Sequence, residues 1–299
     1  MQKWLKTIEL PVDQPDVTLR EQLTAWALPR RIQGQLRQNR RVLLNGRYQN
    51  MQTHLKPGDR LEMTFLATDF MTATSQYAAE ATGQLEVLWE NEDVLVANKP
   101  AGIKTHPNSP GETGTLMNLA QAYLANQPNS SAYMVHRLDG ATSGAIVIAK
   151  NPVAVSILNA QLKTKQITRQ YVALVMGTVT QKQGVVDLPI GIDPEHVRLR
   201  KVNGVKSQAA RTHWQVLEKR ETATLLQLEL ETGRTHQIRV HMQAIGHPIV
   251  GDVYYNPATN SSRLMLHAAK ISFKLPFSQK EISVKAPITA DFSAIVKKS

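Results

Sequence analysis

The run HRLDGATSGAIVIAK, His136 to Lys150, decides how this chain is read. A base and an acid stand beside glycine and small hydroxyl residues, and an apolar stretch follows at once. That stretch, residues 145–149, reads as a buried strand, which places Asp139 on a turn at its entrance. Rigid scaffolds display reactive groups on such turns, and Gly140 and Gly144 leave room for backbone or ligand near the acid. A second polar cluster, LETGRTHQIRVHMQAIGHPIVGD from Leu230 to Asp252, crowds Arg234, His236, Gln237, Arg239 and His241 into one short segment. The two runs are expected to form one site.

Together they resemble the RluA-type pseudouridine synthases, which isomerise uridine within RNA. The HRLDxxTSG block around Asp139 is similar to the family's nucleophile motif, and GRTHQIRVH followed by GHPIVGD is similar to its second signature. Three further blocks occur in family order: NKPAGIKTHP from Asn98, QYVALVMG from Gln170 and RLMLHA from Arg263. The similarity spans residues 85–290. It implies an α+β fold with a bent, mostly antiparallel mixed sheet, flanking helices and a central RNA-binding cleft.

The order of elements agrees with that class. Strands are expected at 85–89 and 94–97 and a helix at 115–125, then the strand at 145–149 and a helix at 152–163 opened by Pro152. Strands follow at 171–176, 209–217 and 224–231, a helix at 235–245 closed by Gly246, and strands near 264–274 and 281–285. Strands joined by hairpins as well as helices argue against a doubly wound parallel sheet.

The first 70 residues read as a small basic α/β RNA-binding domain. Thr18 to Glu21 fits a capping box for a helix through Ala27, and Pro29 precedes a second helix over 30–38. The strand Val42–Leu44 then meets the tight turn Asn45-Gly46. No acid occurs between Gln22 and Gly58, where Arg30, Arg31, Arg37, Arg40, Arg41, Arg47 and Lys56 all lie. The VLLNGR turn and the later LKPGDRLEM strand resemble the αL RNA-binding fold, shared by a small-subunit ribosomal protein and tyrosyl-tRNA synthetases. Residues 71–84 read as a linker and 85–299 as the catalytic domain. The alternative for the arginines is a solvated basic face. Residues 198–211, with five basic residues and no acid, read as a loop leading into a strand that either tracks RNA or is a solvated basic hairpin.

A formal charge of +11 and a pI near 9.8 point to a polyanionic partner. There is no cysteine, and no apolar run is long enough for a membrane span. The N-terminus lacks an apolar signal core and reads as cytoplasmic. Walker and dinucleotide motifs are absent, and base isomerisation leaves composition unchanged, so no cofactor is expected.

The chemistry needs a carboxylate that breaks the bond between ribose and base nitrogen, by attack on the sugar carbon or by removal of a ribose proton; the sequence leaves both open. Asp139 is the candidate. A free aspartate has a pKa of about 3.9 and is ionised at neutral pH unless burial intervenes, which a nearby cation would counter. The resemblance assigns that cation to Arg239. The competing reading of Asp139 is an ordinary turn aspartate.

The resemblance further implies that Arg137 fills the space vacated by a flipped uridine or holds its phosphate, and that Tyr171 stacks on uracil and exchanges a proton at the ring carbon. An ion pair and a core tyrosine are the bland alternatives. Arg169 stands where the family often has lysine. His136, Arg234, His236 and Gln237 are counted among residues that shape the RNA cleft, Lys99 as a contact to the substrate backbone, and Leu266 as packing near the target base.

His136, His236, His241, His247 and His267 raise the question of a metal, but His236 and His241 are five apart and no glutamate lies between them, so none is expected. A glycoside hydrolase would need a second acid, for which Glu231 and Asp252 are available. A non-catalytic RNA chaperone or ribosome-assembly factor would not need Asp139, Tyr171 and Arg239 together. The expected partner is ribosomal RNA, with transfer RNA as the alternative, and the expected state is a monomer.

Overall fold

Alternation of apolar and polar residues along two N-terminal segments builds the first sheet of this computed structural model, which describes residues 2–71, 75–80, 82–257, 261–278 and 280–298. The elements here are β1 (Lys3–Glu9), α1 (Leu19–Ala25), α2 (Arg30–Gln38), β2 (Val42–Leu44), β3 (Arg47–Tyr48) and β4 (Arg60–Leu66), and the sheet order is β1-β4-β2-β3. The strand β1 was not anticipated. Its apolar residues, Trp4, Leu5 and Ile8, follow no strict alternation, and pairing with β4 makes it a half-buried strand. Thr18 and Glu21 form the expected capping box, with Glu21 Oε2 accepting from the Thr18 amide at 2.7 Å. Asn45 and Gly46 both take positive φ, 52° and 77°, as the tight β2–β3 turn requires.

This unit shares its core with the rest of the chain. Leu19, Leu23, Leu36, Leu61 and Phe65 pack in one cluster with Val153, Ile157 and Phe277. At about 1.5–3 kcal/mol per buried large side chain, that packing fixes the small unit on the larger one. Lys6 adds an ion pair to Asp93 at 2.7 Å, and Trp4 donates its indole N–H to the Asn129 carbonyl. The expected linker falls partly outside the described residues, at 72–74 and 81.

The larger unit contains β5 (Val87–Glu90), β6 (Val94–Lys99), α3 (Leu116–Leu124), β7 (Tyr133–Met134), β8 (Ser143–Ala149), α4 (Pro152–Lys163), β9 (Thr168–Met176), β10 (Gln183–Asp187), β11 (Ile190–Ile192), β12 (Arg200–Val202), β13 (Val205–Gln208), β14 (Arg211–Lys219), β15 (Ala223–Leu230), α5 (Gln237–Ala244), β16 (Leu266–Lys274), β17 (Glu281–Lys285) and α6 (Ala290–Lys298). Its ten-stranded sheet runs β10-β14-β15-β9-β16-β8-β6-β5, with β17 on β16 and β7 on β8. Among the described residues every pairing in it is antiparallel except β16 with β8. Register shifts interrupt β14–β15 and β16–β9, and such irregularities bend a sheet.

The basic stretch 198–211 is mostly a hairpin rather than a loop, and it leads into β14 at Arg211. It supplies β12 and β13 to a three-stranded sheet with β11, which packs beside α5. The alternation there is too short and too polar to read as strands. No helix among the described residues is long and apolar enough to cross a membrane.

Candidate active site

The Asp139 turn is held from beneath by the NKPAGIKTHP block. Lys99 ends β6 fully buried, and its ammonium donates to the carbonyls of Pro100, Ile103 and Gly140 at 2.8, 2.8 and 3.0 Å. Thr105 Oγ1 donates to the Leu138 carbonyl at 2.8 Å and accepts from the Leu138 amide at 3.1 Å. The Gly102 amide donates to the Gly140 carbonyl. His136 Nε2 accepts the Val147 amide at 3.1 Å, and burial pushes this imidazole down to about 3, so it stays neutral. The residues flanking Asp139 are thereby tied to fixed backbone, while its own carboxyl projects into the cleft. The close approach at Gly144 is to protein, not ligand: φ is +113°, and a Cβ would stand 2.3 Å from the Ala268 carbonyl oxygen of β16.

The second cluster delivers Arg239 from α5. Its Nε and Nη2 donate to the two Asp252 oxygens at 2.7 Å each, and its Nη1 lies 3.5 Å from Asp139 Oδ2. The Tyr254 and Tyr255 rings lie 5.5 and 5.0 Å from the guanidinium carbon. Asp252 is almost fully buried, so the guanidinium cannot swing away without leaving a charge unpaired. His236 caps α5 with φ 58° and shares a 2.8 Å hydrogen bond with the Tyr255 hydroxyl. Its burial outweighs the pull of Asp139 and keeps the imidazole below its ordinary pKa.

Tyr171 projects from β9 into the same cleft, a cavity of about 620 Å³ lined also by Arg137, Asp139, Arg169, Arg234 and Leu266. Burial raises the phenol's pKa, against the opposing charge of Arg169 and with help from Asp139. A buried ring, an acid that solvent still reaches and a paired guanidinium thus meet where a flat base could enter.

Residues 93–244 match the RNA pseudouridylate synthase family, and residues 6–61 match the RluD ribosomal pseudouridine synthase N-terminal domain. This chain belongs to the RNA pseudouridylate synthase family. The uncharacterized RNA pseudouridine synthase YhcT of Bacillus subtilis is 40% identical over 247 residues, 81% of this chain and 80% of that one. The ribosomal large subunit pseudouridine synthase D of Nitrosomonas europaea is 40% identical over 227 residues, 71% of this chain and 64% of that one. The structure of human RNA pseudouridylate synthase domain containing 4 shares the fold, with a TM-score of 0.60 at 21% identity over 71% of this chain and 92% of that one. The protein is an isomerase that acts on RNA.

Within this synthase three side chains expected to meet RNA have their polar ends bonded inside the protein. The Lys99 ammonium is buried and donates to three carbonyls, which leaves it no open face toward the cleft; burial also draws its pKa down to about 7. Gln237 is likewise occupied. Its Oε1 accepts from Thr232 and the Arg234 amide, and its Nε2 donates to the Arg211 carbonyl and Thr212. It shapes the cleft's wall loop from within. Arg41 grips buried Asp69 through both guanidinium termini at 2.7 and 2.8 Å.

Other candidates stand as follows. Arg137 is exposed at the rim, Arg234 is exposed with Nε on the Ala209 carbonyl, and Leu266 packs into the cleft from β16. Arg30, Arg37 and Arg40 are exposed, while Arg31 is exposed but lends one nitrogen to the Asp69 carbonyl. Arg20 was missed because it precedes the acid-free segment; it joins Arg30 and Arg37 around a depression of about 520 Å³.

The remaining histidines lie on separate partners: His241 on Thr212 and the Leu188 carbonyl, His267 on Ser143, and His247 on the Met176 carbonyl. Glu231 is no second acid for glycoside hydrolysis, since hydrogen bonds from Lys165 and His213 hold its pKa at about 2. Asp252 is sequestered by Arg239.

Proposed function

We propose that Asp139 carries the isomerisation, with Tyr171 and Arg239 as its partners, on a uridine everted from structured large-subunit ribosomal RNA. The observation that supports this reading most is the placement of Asp139 in the cleft between a guanidinium at 3.5 Å and the buried Tyr171 ring. The carboxylate either bonds to C1′ or takes the C2′ proton as the N1–C1′ bond breaks. The freed uracil then turns and bonds to C1′ through C5, which releases the carboxylate from C1′ or takes back the proton at C2′, while C5 loses a proton and N1 gains one. Arg239, with Nη1 3.5 Å from Oδ2, aims the carboxylate. Tyr171 offers a face for the ring and a hydroxyl for the C5 proton.

Arg137, at the exposed rim, fills the gap left in the RNA stack or meets the flipped nucleotide's phosphate. Residues 1–70 act as the RNA-binding domain through exposed Arg30, Arg31, Arg37 and Arg40, residues 71–84 connect, and residues 85–299 hold the catalytic machinery. The enzyme works as a cytoplasmic monomer. The name of the Nitrosomonas relative and the match to the RluD N-terminal domain favour large-subunit ribosomal over transfer RNA. Mapping pseudouridines in total RNA from cells with the gene, without it, and with Asp139→Ala in its place tests this. Loss of one or more large-subunit sites in both deficient strains is expected. An unchanged ribosomal map, or restoration by Asp139→Ala, would contradict it.

A further inference from the structure

Strand pleating puts Arg169 and Tyr171, two residues apart on β9, on one face, and both line the cleft. Of the other cations around that cavity, Lys165 pairs with Glu231 at 2.8 Å, Arg239 with Asp252 and Arg234 with the Ala209 carbonyl, while Arg137 and Lys163 are exposed to water, whereas Arg169 is half-buried. Arg169 is different. No hydrogen bond or ion pair ties its guanidinium to any described residue, and its Nε is buried without an acceptor. A partly buried guanidinium with no anion is an expensive arrangement unless a ligand completes it.

The wall opposite leaves space for it. A Cβ at Gly233 would stand 2.8 Å from Arg169 Nη1, so the guanidinium lies in a gap that any side chain there would invade. Its charge also reaches the floor of the cleft, where it opposes the rise that burial imposes on Tyr171 and adds to the fall that burial imposes on His136.

We propose that Arg169, lodged over Gly233, is a phosphate subsite that holds a backbone phosphate flanking the everted uridine and so sets the base against Tyr171. Arginine suits the task because its planar fork gives two parallel hydrogen bonds to phosphate oxygens and stays charged. Phosphate is preferred to a uracil carbonyl because five donors match a charged multi-oxygen group, and the local field is already positive. The inference rests on the cleft admitting an everted nucleotide.

The test uses the full-length enzyme and three synthetic stem-loops carrying one mapped target uridine, tritiated at C5. One is unmodified; in the others a neutral methylphosphonate replaces the phosphate on the 5′ or the 3′ side of that uridine. Wild-type release of label from the unmodified RNA checks the pseudouridine reading independently. Arg169→Ala is expected to raise KM about tenfold with little change in kcat, as removal of one charge-assisted hydrogen-bonding partner should. Arg169→Lys should recover part of this. Gly233→Ala, which displaces the guanidinium but keeps its charge, should raise KM less than Arg169→Ala. On one methylphosphonate RNA the wild type and Arg169→Ala should become equal. A wild-type KM for Arg169→Ala, or a deficit that persists undiminished on both methylphosphonate RNAs, would overturn the proposal.

Discussion

Arg239 reaches Asp139 with a single guanidinium nitrogen, at 3.5 Å. Its other two nitrogens are committed to Asp252 at 2.7 Å each, so the aspartate that matters for orientation lies one step behind the one that faces the cleft.

Replacing Asp252 should therefore act at a distance. Asp252→Asn leaves Arg239 buried with half its tether, and breaking a buried pair of this kind costs about 3–5 kcal/mol at most. A lower Tm and a kcat reduced by about tenfold or more are expected, with RNA affinity unchanged. Urea unfolding and single-turnover tritium release check both; a normal kcat would mean that Asp139 does not depend on this tether.

Lys99 should leave a pH signature in stability. Its folded pKa of about 7 lies below the unfolded 10.5, so across that window the unfolded chain carries the extra proton. Stability contributed by this group therefore rises with pH from 7 upward, at a slope approaching about 1.4 kcal/mol per unit. Measured against Lys99→Met by urea unfolding at pH 7, 8 and 9, the wild type should gain with each step. A gap that stays flat or shrinks would contradict the assignment.

Tyr171→Phe keeps the ring and removes the hydroxyl. If that hydroxyl handles the C5 proton, turnover should fall by a factor on the order of 100 while RNA binding is retained, as when a general acid or base is removed. Near-normal turnover would reduce Tyr171 to a stacking surface.

The N-terminal arginines should divide into two classes. Replacing Arg30, Arg37 and Arg40 together should weaken RNA affinity and flatten its salt dependence, by roughly 0.7 to 0.9 in log–log slope for each phosphate no longer neutralised. Arg41→Ala should lower Tm and leave that slope alone, because Arg41 serves Asp69. Salt titrations on one RNA separate the two.

Much of the fold is legible in the sequence where local signals are strong. Asn151 and Pro152 open α4 where the sequence places it, and β17 occupies its expected residues, because caps and alternation are local. β1 and the small sheet of β11, β12 and β13 are not legible, since their pairing partners are distant or their residues polar. The same limit applies at the site. Asp139, Tyr171 and Arg239 are visible as chemistry-bearing types in distinctive runs, but nothing local says that Lys99 and Gln237 point inward, or that Asp252 takes most of Arg239. Basic and amide side chains look alike in sequence whether they meet RNA or buried carbonyls. Only the three-dimensional arrangement of acceptors separates them.

Whether the Asp139 carboxylate performs the isomerisation is read out by tritium release from RNA labelled at uracil C5. With Asp139→Ala, release should fall to background while the variant binds the same RNA within about twofold of wild type, since a single small side chain contributes little to so extended an interface. Release at the wild-type rate would contradict the account.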